Sequence, residues 1–76
     1  MKEGEIYRHY KTNNLYKILA IGKHSETLED MVVYEAQYNN ETSKVWIRPL
    51  KMFLEEVEWP KDSGIKVPRF TLETLK

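Results

Sequence analysis

"MVVYEAQYNNETSKVWIRP", Met31 to Pro49, decides the fold through its alternation. Val32, Tyr34, Ala36 and Tyr38 are spaced two apart, so an extended chain puts all of them on one face. A polar stretch, Asn39 to Ser43, interrupts the pattern, and Lys44 to Pro49 alternate again. Pro49 has no N–H to give to a ladder, so the second run ends there. Two runs of period two around a short polar loop predict an antiparallel hairpin.

Working outward, "LYKILAIGK" (Leu15 to Lys23) is a further strand, and "HSETLED" (His24 to Asp30) connects it to the hairpin. "EIYRHYK" (Glu5 to Lys11) reads as the first strand, with Tyr7 and His9 on one face and Ile6, Arg8 and Tyr10 on the other. "KTNN" (Lys11 to Asn14) is a turn, because Asn tolerates left-handed backbone. Beyond Pro49, Leu50, Phe53 and Leu54 recur at i, i+3, i+4 and predict one helical turn, with proline as its first residue. "VEWPKDSG" (Val57 to Gly64) is read as irregular, with Val57 and Trp59 turned inward and a turn at Asp62 to Gly64. "IKVPRF" (Ile65 to Phe70) is a short edge strand because of Pro68, and Arg69 is taken as an exposed edge residue. "TLETLK" is read as one helical turn capped by Thr71. The sum is a mainly β chain, a small SH3-like barrel or roll of about five strands with one short helical turn, forming a single domain over residues 1–76. An OB-type barrel needs more length and is the second choice.

A chain of 76 residues has a small core, and with no cysteine it has no disulfide staple and no thiolate. Five Tyr, two Trp and two Phe must supply the apolar burial. Twelve basic residues balance twelve acidic ones, which argues against a nucleic-acid coat held by bulk charge and leaves room only for a local patch. The first ten residues, "MKEGEIYRHY", contain no apolar signal-like segment, and no apolar run approaches the length of a membrane span. A soluble, cytoplasmic protein that does not engage membranes is therefore expected.

The strings "GxxYRHYK", "HSETxE", "VVY", "WxRPxxMFxE" and "VPRF" together resemble a family of short bacterial and phage domains of unknown function, from Gly4 to Phe70. Members of that family look like small SH3-type barrels, so the resemblance implies this fold and supplies no reaction or ligand. Two departures are "KTNN", where the family tends to have a glycine-containing turn, and Gln37, where it tends to have an aliphatic residue. The second implies that this side of the third strand is not deeply buried.

The polar–aromatic residues at strand ends are the candidates for chemistry. His9 and His24 are the only histidines, and with no Cys a zinc ion would have to recruit Glu26 and Glu29 at a spacing that fits no standard motif. No metal and no cofactor are expected. Ser25 adjoins His24, but neighbours along a strand point to opposite sides, and no glycine-built oxyanion hole is in view. The chain is read as a non-enzyme, with a small enzyme kept as an alternative reading. His24 is expected to donate to a carbonyl at the strand end, and Ser25, Glu26 and Thr27 to hold the connector in shape through hydroxyl and carboxylate bonds to its backbone. Trp46 and Arg48 alternate on the fourth strand, opposite Val45 and Ile47, and are read as an outer-face platform for stacking and bidentate contact. The competing reading has Trp46 closing the barrel and Arg48 pairing with Glu26 or Glu29 to brace the loop. A closed pair would mean a brace; an unpaired Arg48 beside Trp46 would mean a site. The ligand-binding set is thus Tyr7, Arg8, His9, His24, Ser25, Glu26, Thr27, Trp46 and Arg48. The expected partner is a protein segment or small ligand, or alternatively a nucleotide or single-stranded nucleic acid stacked on Trp46. A monomer or weak homodimer is expected, since an edge strand could pair with a second copy.

Overall fold

The period-two pattern is realised in the third strand, where Val32, Tyr34 and Ala36 are all buried. The structure, a computed structural model, describes residues 1–73. Its elements are β1 (Ile6–His9), β2 (Leu15–Lys23), β3 (Asp30–Ala36), β4 (Val45–Pro49), α1 (Leu50–Phe53), β5 (Glu56–Glu58), β6 (Lys66–Pro68) and β7 (Phe70–Leu72). An antiparallel sheet runs in the order β4-β3-β2-β1-β7, and β5 with β6 forms a separate two-stranded sheet. This is the expected mainly β architecture with one short helix.

The core is aromatic. Phe53 of α1 lies flat on Phe70 of β7, with centroids 3.9 Å apart and planes 3° from parallel. Tyr7 and Tyr34 meet Phe53 edge-on, each at 5.3 Å. Ile18 and Val32 complete the fully buried set. Each such side chain contributes roughly 1.5–3 kcal/mol by leaving water, so the helical turn after Pro49 matters because it delivers Phe53 to the centre. Pro49 is its N-cap rather than its first helical residue.

Register fixes which side of β4 faces inward, and it reverses the expectation. Trp46 lies opposite Tyr34 and Arg48 opposite Val32. Residues directly across a ladder point the same way, so Trp46 and Arg48 follow their buried partners onto the inner face. Val45 and Ile47 take the outer one, and Ile47 is 64% exposed. The outer-face platform is therefore not present. Gln37 is exposed.

The C-terminal third differs most. "EVE" pairs with "KVP" as β5 and β6, where an irregular run was expected. Val57 is half-buried, while Trp59 is exposed and only meets Tyr10 edge-on at 5.6 Å. Thr71 is not a helix cap: it lies in β7, paired with Arg8 of β1. The rest of the predicted last helical turn, residues 74–76, lies outside the described residues. Arg69 is not a free edge residue either. Its Nε donates to the carbonyl of Met52 at 3.1 Å and its Nη2 to Glu55 at 3.1 Å, which ties the end of α1 to the last strands.

The long second strand is bent. Ile18 pairs with Tyr34 and Ala20 with Val33, so Leu19 is an extra, unpaired residue, a β-bulge. Bulges of this kind raise local twist and help a short sheet roll upon itself.

Candidate functional site

β4 and β1 approach one another across the inner face of the roll. β4 supplies Trp46 and Arg48 there, and β1 brings His9 opposite Phe70 in register. With Tyr16 and Tyr34 these residues line a concavity of about 170 Å³. Three members of the sequence-derived set, His9, Trp46 and Arg48, are thus brought together.

His9 is held by its surroundings. Its Nδ1 accepts the backbone N–H of Lys11 at 3.2 Å, and its ring stands edge-on to Phe70 at 5.2 Å. Burial, then the positive charges of Arg48, Arg69 and Lys11, push its pKa below the ordinary 6.5. The ring is therefore neutral at neutral pH, and with Nδ1 accepting, its proton resides on Nε2.

Arg48 carries its guanidinium 5.8 Å from the centre of the Phe70 ring. Among the described residues it has neither a carboxylate partner nor a hydrogen bond. The expected brace to Glu26 or Glu29 is not formed. Trp46 half-closes the roll against the core, and its indole Nε1 is buried with no acceptor among the described residues. Leaving such a donor unsatisfied costs about 1–3 kcal/mol. At the rim, the Tyr16 and Tyr38 hydroxyls share a hydrogen bond of 2.6 Å, and Asn40 Nδ2 donates to Tyr38 at 2.9 Å. Burial, then the bond to Tyr38, drives the Tyr16 phenol pKa well above its usual range.

The remaining candidates lie elsewhere. Tyr7 is a core residue, its phenol pushed upward by burial and then by Glu5. Arg8 points from the other face of β1 and grips Glu73, Nε to Oε2 at 3.0 Å and Nη2 to Oε1 at 2.6 Å. That fork joins the first strand to the residue following the last one, and it holds the Glu73 carboxyl below its usual pKa.

His24, Ser25, Glu26 and Thr27 occupy the tip beyond the Lys23–Asp30 pair, at the far end of the β2–β3 hairpin. His24 does not donate to a carbonyl through Nδ1. That atom accepts the N–H groups of Glu26 and Thr27 at 3.1 and 3.3 Å. Thr27 Oγ1 accepts the N–H of Glu29 at 3.3 Å, and Leu28 adopts a left-handed φ of 63°. The tip is a self-contained turn, and none of these four residues lines the His9 concavity.

Sequence reasoning did not select Phe70 for this cavity. The available signal was its place as the last aromatic before the chain returns to β1, which becomes visible only once β7 is recognised. Among the described residues no group of three or more His, Cys, Asp or Glu side chains is placed to hold a metal, and no helix is long and apolar enough to cross a membrane.

The model of a family described as "Protein of unknown function (DUF1653)" matches residues 5–72. The crystal structure of a DUF1653 protein from Bordetella bronchiseptica is similar, with a TM-score of 0.74 and 31% sequence identity. The similarity covers 92% of this chain and 83% of that one. No curated protein matches the chain.

Proposed function

The chain belongs to the DUF1653 family of proteins of unknown function, and we propose that it acts as a small binding module whose inner-face pocket holds one anchor group of a protein segment. The observation that carries this reading is the guanidinium of Arg48, unpaired among the described residues, beside buried and half-buried aromatic rings. A cation taken partly out of water without a counter-charge is costly unless a partner arrives to meet it. The pocket, at about 170 Å³, is well below the roughly 300–1,000 Å³ of sites that enclose a whole drug-sized ligand. It suits a single side group of a longer chain, as in the shallow grooves of peptide-binding β-rolls.

In this reading the module works without turnover, in the cytoplasm, where the absence of cysteine is no handicap. Base stacking on Trp46 loses support, because the indole lies against the core rather than flat on an outer face.

The test is a chemical-shift titration of the isotopically labelled protein with a mixture of short peptides. The two Trp indole N–H signals report separately, Trp46 from the pocket and Trp59 from the exposed flank. Shifts at Trp46 and His9 with Trp59 unmoved are expected. Shifts confined to Trp59, or to residues outside the pocket, overturn the proposal, and so does a response to oligonucleotides alone.

A further inference from the structure

We infer that the group this pocket reads is a carboxylate, the complement of its single unpaired cation and its surplus of hydrogen-bond donors. The inference rests on the binding-module reading above and specifies its ligand.

Charge is the first argument. Arg48 is the one ionised side chain lining the cavity, and no Asp or Glu lines it. The neighbouring cations are engaged elsewhere: Arg69 with Glu55 at 3.1 Å, and Lys11 over the Trp59 ring at 6.0 Å. Among the described residues the one positive charge inside the cavity, that of Arg48, therefore lacks a counterpart.

Donor count is the second. The guanidinium has five N–H groups in a planar fork, and none is used by a described residue. Neutral His9 offers its Nε2–H, since Nδ1 is committed to Lys11. The Trp46 N–H lacks an acceptor among the described residues, although neighbouring atoms cover it and a small local shift is needed before a ligand meets it. Of the hydroxyls nearby, those of Tyr16 and Tyr38 are bonded to one another, and that of Tyr34 is a phenol that can itself donate. A wall of donors around one positive charge calls for a planar acceptor of one negative charge, which a carboxylate is. A phosphate dianion would bring a second negative charge with no cation to face it. The aromatic walls, Tyr34 and Phe70, suit a short apolar body behind the carboxylate.

Such a group reaches a protein segment in two ways, as its C-terminus or as an Asp or Glu side chain. Benzoate, its neutral isostere benzamide and inorganic phosphate are the probes, read at the indole N–H of Trp46 and the ring of His9. Benzoate is expected to move both signals while Trp59 stays in place. Benzamide is expected to bind at least about tenfold more weakly, the usual worth of a hydrogen bond to a charged group. Arg48→Gln should abolish the benzoate response, and Arg48→Lys, which keeps the charge without the fork, should restore part of it. Folding of both variants is checked by the dispersion of the remaining amide signals.

Equal binding of benzamide and benzoate at the pocket overturns the carboxylate inference and leaves the binding-module reading standing. So does a response to phosphate that exceeds the one to benzoate. Peptide shifts that map away from Trp46 overturn the module reading itself. Within a positive result, a peptide with a free C-terminus is compared with its amide and with an amidated peptide carrying an internal Glu, which assigns the source of the carboxylate.

Discussion

His9, held neutral among cations, gives the protein a distinct acid limb. Its folded pKa lies below the unfolded value of 6.5, so the unfolded chain binds the proton first as pH falls. Stability from this residue is complete above 6.5 and is lost as pH drops through its folded pKa. Glu73 acts lower down: its carboxyl is depressed from 4.5 by Arg8, so its contribution is present above 4.5 and disappears as pH falls further. Urea midpoints measured between pH 7 and 5 should therefore decline in the native protein and stay nearly level in His9→Asn, which keeps an acceptor near the Lys11 N–H. An equal slope in both would assign the decline to another group. Leu28 supplies a second prediction. A side chain with a β-carbon in left-handed backbone costs roughly 1–2 kcal/mol, and Leu28 is 68% exposed, so it gains little from packing. Leu28→Asn is expected to raise stability by several tenths of a kcal/mol or more in denaturant titrations; a loss of stability would show a role for the leucine side chain. Of the site, the residue types at His9, Trp46 and Arg48 were legible in the sequence. The side of the strand was not, because Val45 and Ile47 make an equally apolar alternative and only the pairing with Val32 and Tyr34 decides between them.

β2 was read to the residue, and β3 and β4 to within two, since their alternation runs long enough to be distinctive. The three-residue strands β5, β6 and β7 were not separable, because so short a segment carries barely one period. β7 nevertheless has a large structural role: it places Phe70 on Phe53 and pairs with β1. Phe70→Ala should cost about 3–5 kcal/mol, the usual range for emptying an aromatic site. Circular dichroism melts and amide exchange in β1 and β7 would measure this, and a loss under 1 kcal/mol would contradict the described core. The opposite face of β4 makes the control. Ile47→Thr, on the exposed side, should change stability by no more than about 0.5 kcal/mol.

For a chain of this size the total folding free energy is of order 4–11 kcal/mol, so the loss of Phe70 alone brings the molecule close to its limit. The same narrow margin makes the alkaline side informative. Tyr7 and Tyr16 both have phenols raised above 10.0 in the folded state, so stability is full below that value and falls as pH rises past it, when the unfolded phenols ionise first. Tyr16→Phe should flatten the decline measured by thermal unfolding between pH 9 and 11; an unchanged profile would place the cause outside the Tyr16–Tyr38 pair. The mainly β class followed from alternation and loop spacing. The closing of the roll did not, because it depends on the long-range meeting of β1 with β7 and on Arg8 with Glu73, which no local pattern announces.

The bulge at Leu19 gives β2 a property best put in the language of reading frames. Pairing up to Ile18 and pairing from Ala20 onward are two frames on one strand, offset by a single spare residue. Removing Leu19 would leave both frames matched to β3, so every partner would survive and only the bend would be deleted. Inserting a residue anywhere else in β2 would send one half of the strand inside out. The position that looks most like an error in the ladder is thus the one place where this strand can lose a letter without changing its meaning.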